Sequence, residues 1–284
     1  MTDRNQGGKQ SFLHKTAVVC GGSLGIGQAT AREIVLRGGS VCLVARQPGP
    51  LEETAQELKG LIHDDAQWVH SIAVDCTNHQ EMEQALNDLV DQQGVPDYLL
   101  NVVGDIYSQY IQDLTVVDFR ESMEGNFFGQ LVPTLILLPH FMAAGQGHIG
   151  FVSSMMGYFG IMGYAAYAPA KFAIGGLAET LRHELKPYNI TISVLYPPDT
   201  DTPGLEKELR ARPQECSLLA EGAGLMSAED VATAFVEGLL KQEYAILPGE
   251  ARLAWRLNKY APWLLRWITD RRYRQVRKAL GKES

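Results

Sequence analysis

Short apolar, β-branched runs alternate with longer stretches of helical period along most of the chain. Thr16–Cys20, Ser40–Ala45, 67–74, 98–103, 147–153 and 190–196 have the length and character of strands. Between them, 25–37, 51–62, His79–Gln93, 118–144 and 167–186 read as helices; in 51–62 the repeating apolar set is Leu51, Ala55, Leu58, Leu61 and Ile62. Ser227, with Asp230 three positions on, has the capping-box pattern of a further helix, and 244–247 reads as a last strand. Strands alternating with helices predict a parallel sheet covered on both faces. Right-handed crossovers then give a single-domain, doubly wound α/β fold of Rossmann type. No repeat or linker interrupts residues 1–250, which are taken as one domain followed by a tail at 251–284.

Composition narrows the class. The 284 residues are 45% hydrophobic and 20% charged, which excludes a disordered chain. A net charge of −8 argues against a nucleic-acid binder. Cys20, Cys42, Cys76 and Cys216 show neither CxxC nor zinc spacing, so buried free thiols in a reducing compartment are expected, with no metal. The first twelve residues are polar, against a signal peptide. The apolar stretch 131–144 is broken by Pro133, Pro139 and His140, against a membrane span. A cytoplasmic protein is the resulting expectation. The tail differs from the body: 251–284 holds ten Lys+Arg against Asp270 and Glu283, while the preceding 250 residues hold 15 basic and 31 acidic side chains. Trp255, Trp263 and Trp267, three of the four tryptophans, also lie there.

The first strand is followed by Gly21-Gly22-Ser23-Leu24-Gly25-Ile26-Gly27. Glycines at 21, 25 and 27 let the backbone turn sharply and approach a pyrophosphate, and the helix they open presents free N–H groups and a positive dipole end. Ser23 and Ile26 belong to the same turn. Its G-x-x-x-G-x-G spacing resembles the short-chain dehydrogenase/reductase family, with Cys20 where a threonine is usual. The second strand ends Ala45-Arg46, with no acid before Glu52; a carboxylate there would hold a ribose 2′-OH, whereas an arginine suits a 2′-phosphate, which favours NADPH. By the same resemblance Asp75 would bond the adenine, and Asn101-Val102-Val103-Gly104 stands where the family has N-N-A-G, placing Asn101 and Gly104 at the cofactor.

Tyr167 and Lys171 lie one helical turn apart. A lysine cation beside a phenol favours the phenolate, lowering its pKa from about 10 and readying Tyr167 for proton exchange with a carbonyl or alcohol oxygen. Ser154, thirteen residues earlier at a strand end, offers a hydroxyl to the same oxygen. The resemblance adds Asn126, which would hold a helix kink and a water linking the lysine to solvent, and makes Asn126, Ser154, Tyr167 and Lys171 the catalytic tetrad, with Lys171 also on the nicotinamide ribose. It further implies self-association.

The segment 155–164 is apolar, methionine-rich and uncharged, which suits a bulky apolar ketone and equally suits core or a subunit contact. Tyr196-Pro197-Pro198-Asp199-Thr200-Asp201-Thr202-Pro203-Gly204, Leu43–Arg46 and 171–179 resemble the 3-ketodihydrosphingosine reductase branch of the family. That likeness implies NADPH-dependent reduction of 3-oxosphinganine to sphinganine, with Thr202 on the nicotinamide carboxamide. Residues 205–226 are expected to form a mobile flap whose acids (Glu206, Glu208, Glu215, Glu221) sit in a solvated loop or face a substrate ammonium. The tail, split by Pro262 into two short helices, matches an interfacial element on an anionic membrane, or packs on a second subunit or on its own acidic body. Rival functions are reduction of another hydrophobic carbonyl (a steroid, a 3-oxoacyl chain, a quinone) and a non-catalytic NADPH sensor or scaffold.

Overall fold

The computed structural model describes residues 12–220 and 224–282; the polar N-terminal stretch and Glu221 lie outside them. The body runs β1 (Thr16–Cys20), α1 (Gly25–Leu36), β2 (Ser40–Ala45), α2 (Pro48–Lys59), β3 (Val69–Ala73), α3 (His79–Gln93), β4 (Tyr98–Asn101), α4 (Val116–Met123), α5 (Gly129–Ala144), β5 (Gly147–Val152), α6 (Tyr167–Glu184) and β6 (Ile190–Leu195). It continues through β7 (Thr200–Asp201), α7 (Pro203–Ala211), α8 (Gln214–Ala220), β8 (Met226–Ser227), α9 (Ala228–Leu240) and β9 (Ala245–Ile246). The tail is α10 (Ala251–Tyr260) and α11 (Pro262–Ala279).

Seven strands form a parallel sheet in the order β3-β2-β1-β4-β5-β6-β9. Alternate residues of each strand enter opposite layers: Val18 and Cys20 pack with Met82, Phe141 and Ile174, whereas Ala17 and Val19 pack with Ile34, Leu51 and Phe235. Burial on both faces is why β1, β2, β4, β5 and β6 read as nearly unbroken apolar runs, whereas the edge strand β3 is only partly buried. The chain leaves β1 for one side of the sheet and returns at β4 for the other, so a crevice opens beyond the carboxyl ends of β1 and β4, the position where such sheets bind ligands. All four cysteines are buried and free.

The helices depart from expectation at identifiable points. α2 begins at Pro48 rather than at residue 51, because proline is pre-set for a first helical turn. Within 118–144 a π turn at Glu124–Phe128 separates α4 from α5. The continuous run Val116–Ala144 is long and apolar enough to cross a membrane by length and composition, contrary to the reading of 131–144 alone. Here it lies on the sheet: Gln130 donates to Val103 O at 3.0 Å and Val152 O at 2.9 Å, tying α5 to the ends of β4 and β5. The expected flap contains α7 and α8; Glu208 and Glu215 are buried and bonded rather than solvated, while Glu206 is exposed.

The tail is seated on the body. Trp255 packs 5.0 Å from Tyr158 and 4.9 Å from Tyr196 by ring centroids, and Asn258 donates to Tyr158 O at 2.8 Å. Lys282 Nζ lies 2.8 Å from Glu215 Oε1. Pro262 divides the tail as expected, but α11 is 18 residues long rather than short. Tyr260, Trp263 and Trp267 remain exposed.

Candidate active site

The glycine turn shapes one end of a cavity of about 880 Å³ beyond the sheet's carboxyl edge. Gly21 has φ +85°, open to glycine but costly for other residues. A Cβ on Gly27 would lie 2.0 Å from Gly21 O, so only hydrogen lets α1 start this close to the turn. Leu24, the residue before α1, gives no side-chain cap, leaving the first-turn N–H groups to face the cavity. These features fit a dinucleotide pyrophosphate. Ser23, Gly25 and Ile26 line the same end, and Thr202, capping α7, sets its methyl against Gly25, whose added Cβ would lie 3.0 Å from Thr202 Cγ2. Arg46 and Asp75 line the adjoining wall with Arg46 Nη1 3.6 Å from Asp75 Oδ2.

The cavity's centre holds Ser154, Tyr167 and Lys171. Ser154 follows β5, Tyr167 opens α6, and Lys171 lies on the same face one turn on, its Nζ 5.6 Å from the Tyr167 ring centroid. Ser154 and Tyr167 line the cavity together, and the Ser154 hydroxyl lies near enough to favour the phenolate. The neighbouring Ser153 points elsewhere and holds the scaffold together, since its hydroxyl donates to Lys171 O at 2.8 Å and so fastens β5 to α6. Lys171 Nζ donates to Val152 O at 3.2 Å.

Two expected residues do not line the cavity. Asn126 sits in the π turn behind it, donating from Nδ2 to Asp105 O at 2.9 Å and Ser122 O at 3.1 Å. Its buried Oδ1 has no hydrogen-bond partner. A Cβ on Gly104 would lie 2.7 Å from that oxygen and 2.9 Å from Lys171 Nζ, so one point is within hydrogen-bonding reach of both, the geometry a bridging water needs. Asn101, expected at the cofactor, is fully buried and donates to Thr134 Oγ1 at 2.9 Å instead; the last residue of β4 points into the α5 layer rather than the crevice.

The electrostatics also depart from expectation. Burial pushes the Tyr167 phenol up, the nearby Ser154 hydroxyl pulls it down, and Glu208, Asp199 and Asp105 push it further up. Burial pushes Lys171 down to about 7. The ammonium that was to acidify the phenol is itself disfavoured by its surroundings, so the protein's own side chains hold Tyr167 protonated near neutrality. Sequence reasoning gave no role to the network over this site. Tyr164 donates to Glu208 Oε1 at 2.5 Å, Arg212 bonds Glu208 at 2.7 Å and Asp199 at 3.3 Å, and Lys207 reaches Asp105 at 2.6 Å. These contacts join the segment before α6, α7, and the loops after β4 and β6.

A doubly wound sheet with this glycine turn and a Ser-Tyr-Lys cluster at its carboxyl edge defines a class of oxidoreductase. The model of the short chain dehydrogenase family matches residues 15–213, and the chain belongs to that family. It is 37% identical over 228 residues to a 3-dehydrosphinganine reductase of Danio rerio, covering 80% of this chain and 69% of the relative. It is 34% identical to a 3-ketodihydrosphingosine reductase of Dictyostelium discoideum, covering 82% and 74%. In fold it resembles levodione reductase (TM-score 0.74, 22% identity, 81% and 91% covered). It also resembles a 3-oxoacyl-(acyl-carrier protein) reductase of Brucella melitensis with bound NAD (TM-score 0.69, 24% identity, 82% and 86% covered).

Proposed function

We propose that this chain reduces 3-oxosphinganine to sphinganine with NADPH. The observation that carries the reading is one cavity joining a proton-holding phenol, a dinucleotide cradle and an apolar wall built from Met155, Met156, Phe159 and Ile161. The names of the relatives supply the particular ketone.

When bound, the cofactor supplies a hydride to the carbonyl carbon. The chain does the rest. Gly21, Gly25 and Gly27 with the α1 N-terminus would hold the pyrophosphate, Arg46 a 2′-phosphate, Asp75 the adenine, Thr202 the carboxamide and Lys171 the ribose. Ser154 donates a hydrogen bond to the carbonyl oxygen and orients it. Tyr167 transfers its phenolic proton to the same oxygen as negative charge develops there. Its raised pKa keeps that proton in place near neutrality, which suits reduction. Lys171 then returns a proton to the Tyr167 phenolate and regains one from solvent through a water held against Asn126 Oδ1.

The exposed Tyr260, Trp263 and Trp267, with the tail's arginines, rest on an anionic membrane surface on the cytoplasmic side. Leu135 on α5 and Phe172 on α6, both exposed, supply an apolar face for self-association. The enzymatic reading is tested by purified protein with 3-oxosphinganine, with NADPH and NADH in parallel. Sphinganine formation preferring NADPH supports it, and reduction of 3-oxoacyl thioesters or steroids but not of 3-oxosphinganine overturns it. The membrane reading is tested by co-sedimentation with anionic vesicles; a Trp263→Ser, Trp267→Ser variant that partitions like the wild type overturns it.

A further inference from the structure

Helix α11 meets the body along one stripe: Leu265, Ile268 with Thr269, Tyr273 and Val276, spaced at helical period. The two ends of the stripe are buried, Leu265 and Val276 each at 9% exposure. Its middle is less buried. Ile268, Thr269 and Tyr273 line the same cavity as Ser154 and Tyr167, and Ile268 keeps 40% exposure. The helix is therefore seated at both ends and spans an opening between them. Thr269 turns its hydroxyl back to Leu265 O at 3.1 Å and Arg266 O at 2.9 Å, so it brings no unmet donor to the cavity. Asp270 and Arg272, flanking the stripe, also line the cavity. The span is held down beyond its far end, where Lys282 pairs with Glu215 of α8 at 2.8 Å and Glu215 also accepts from Tyr110. α8 in turn contributes Leu219 to the cavity.

The geometry points to α11 as the wall against which the hydrocarbon chain of the ketone lies, running away from Tyr167 between the Met155–Ile161 side and the Ile268–Tyr273 stripe. The inference rests on the reading of the site as a reductase of a long-chain ketone. It assigns the tail a part in substrate selection, distinct from its exposed outer face. An alkyl chain is the occupant the cavity favours, because the stripe is continuous with the reacting centre, Ile268 and the Tyr273 ring offer apolar surface there, and the Thr269 hydroxyl is turned away to its own helix. Each methylene laid on that wall is transferred out of water, a gain of up to about fourfold in kcat/KM per carbon where burial is complete.

The test is kcat/KM against chain length, in one detergent, for two ketone series: 3-oxosphinganine homologues and plain long-chain ketones lacking the amino group. Wild type is expected to rise steeply over the longer members. Ile268→Ser and Tyr273→Ala are expected to flatten that slope, and Thr269→Trp, which fills the span instead of emptying it, to move the optimum to shorter chains. Leu253→Ser, on the exposed side of α10, is expected to keep the wild-type slope. Unchanged slopes and optimum in all three cavity variants, including a uniform loss at every length, overturn the inference. Plain ketones with an α11-dependent slope, in an enzyme that leaves 3-oxosphinganine unreduced, uphold it while removing the proposed substrate.

Discussion

Lys171→Met separates the electrostatics of the site from its chemistry. Lys171 is 3% exposed, bonds Val152 O at 3.2 Å, and is pushed by burial from 10.5 down to about 7. In the unfolded chain the same ammonium titrates at about 10.4. Between those values the unfolded state carries one proton more than the folded state. Stability therefore rises with pH through this window, by about 1.4 kcal/mol per unit, and the buried cation is a burden that grows as pH falls toward 7. Methionine fills similar space without titrating. Urea unfolding followed by tryptophan fluorescence at pH 7.5, 8.5 and 9.5 gives the stability difference, wild type minus variant. Cysteine and tyrosine ionisation, common to both proteins, drops out of that difference. It should move in favour of the wild type by about 3 kcal/mol over the two units. A difference that stays flat with pH would mean Lys171 ionises in the fold as it does in the open chain, and the account of the site's electrostatics would be wrong.

Other changes probe other parts. Gly27→Ala drives a methyl into Gly21 O at 2.0 Å, a backbone atom with nowhere to go, so NADPH binding measured by fluorescence should fall at least tenfold and Tm should drop. His148, buried with Nε2 2.8 Å from Ser193 Oγ, is held down to about 4 by burial. The unfolded chain takes up a proton below about 6.5 that the fold refuses until about 4, so stability declines through that window by about 3 kcal/mol. His148→Gln should remove this portion of the acid dependence, read as denaturant midpoints at pH 7 and 4.5. Arg46→Asp should raise KM for NADPH more than tenfold and lower it for NADH; a ratio unchanged between the two cofactors would remove Arg46 from cofactor selection.

What could be read from the chain divides along physical lines. Most of the seven strands of the central sheet were visible because residues buried on both faces leave continuous apolar runs. α3 fell at His79–Gln93 because Asn78 caps it locally, accepting from Glu81 N. α2 started earlier than its apolar period because Pro48, Gly49 and Pro50 carry no periodic signal. The π turn had no local signature: it is secured by Asn126 reaching Asp105 O, a contact across 21 residues. Ser154 and Tyr167 came together as their spacing implied, whereas Asn101 did not reach the crevice, because side-chain direction at a strand end depends on what packs above it. The acidity of Tyr167 was misjudged for a related reason: a neighbouring charge is written in the sequence, but burial is tertiary, and here burial dominates. The tail's aromatic and basic character was plain. That Trp255 turns inward while Trp263 and Trp267 turn outward was not, since the inward site is made by Tyr158 and Tyr196.

The central claim is that Tyr167 delivers a proton to a ketone oxygen while hydride reaches the adjoining carbon in the same cavity. NADPH carrying deuterium at the transferred position, incubated with 3-oxosphinganine and purified protein, tests it by mass spectrometry of the product. The expected product is sphinganine with one deuterium at the carbinol carbon, formed at least a hundredfold more slowly by Tyr167→Phe. Unlabelled sphinganine, or labelled product at an undiminished rate from Tyr167→Phe, would contradict it.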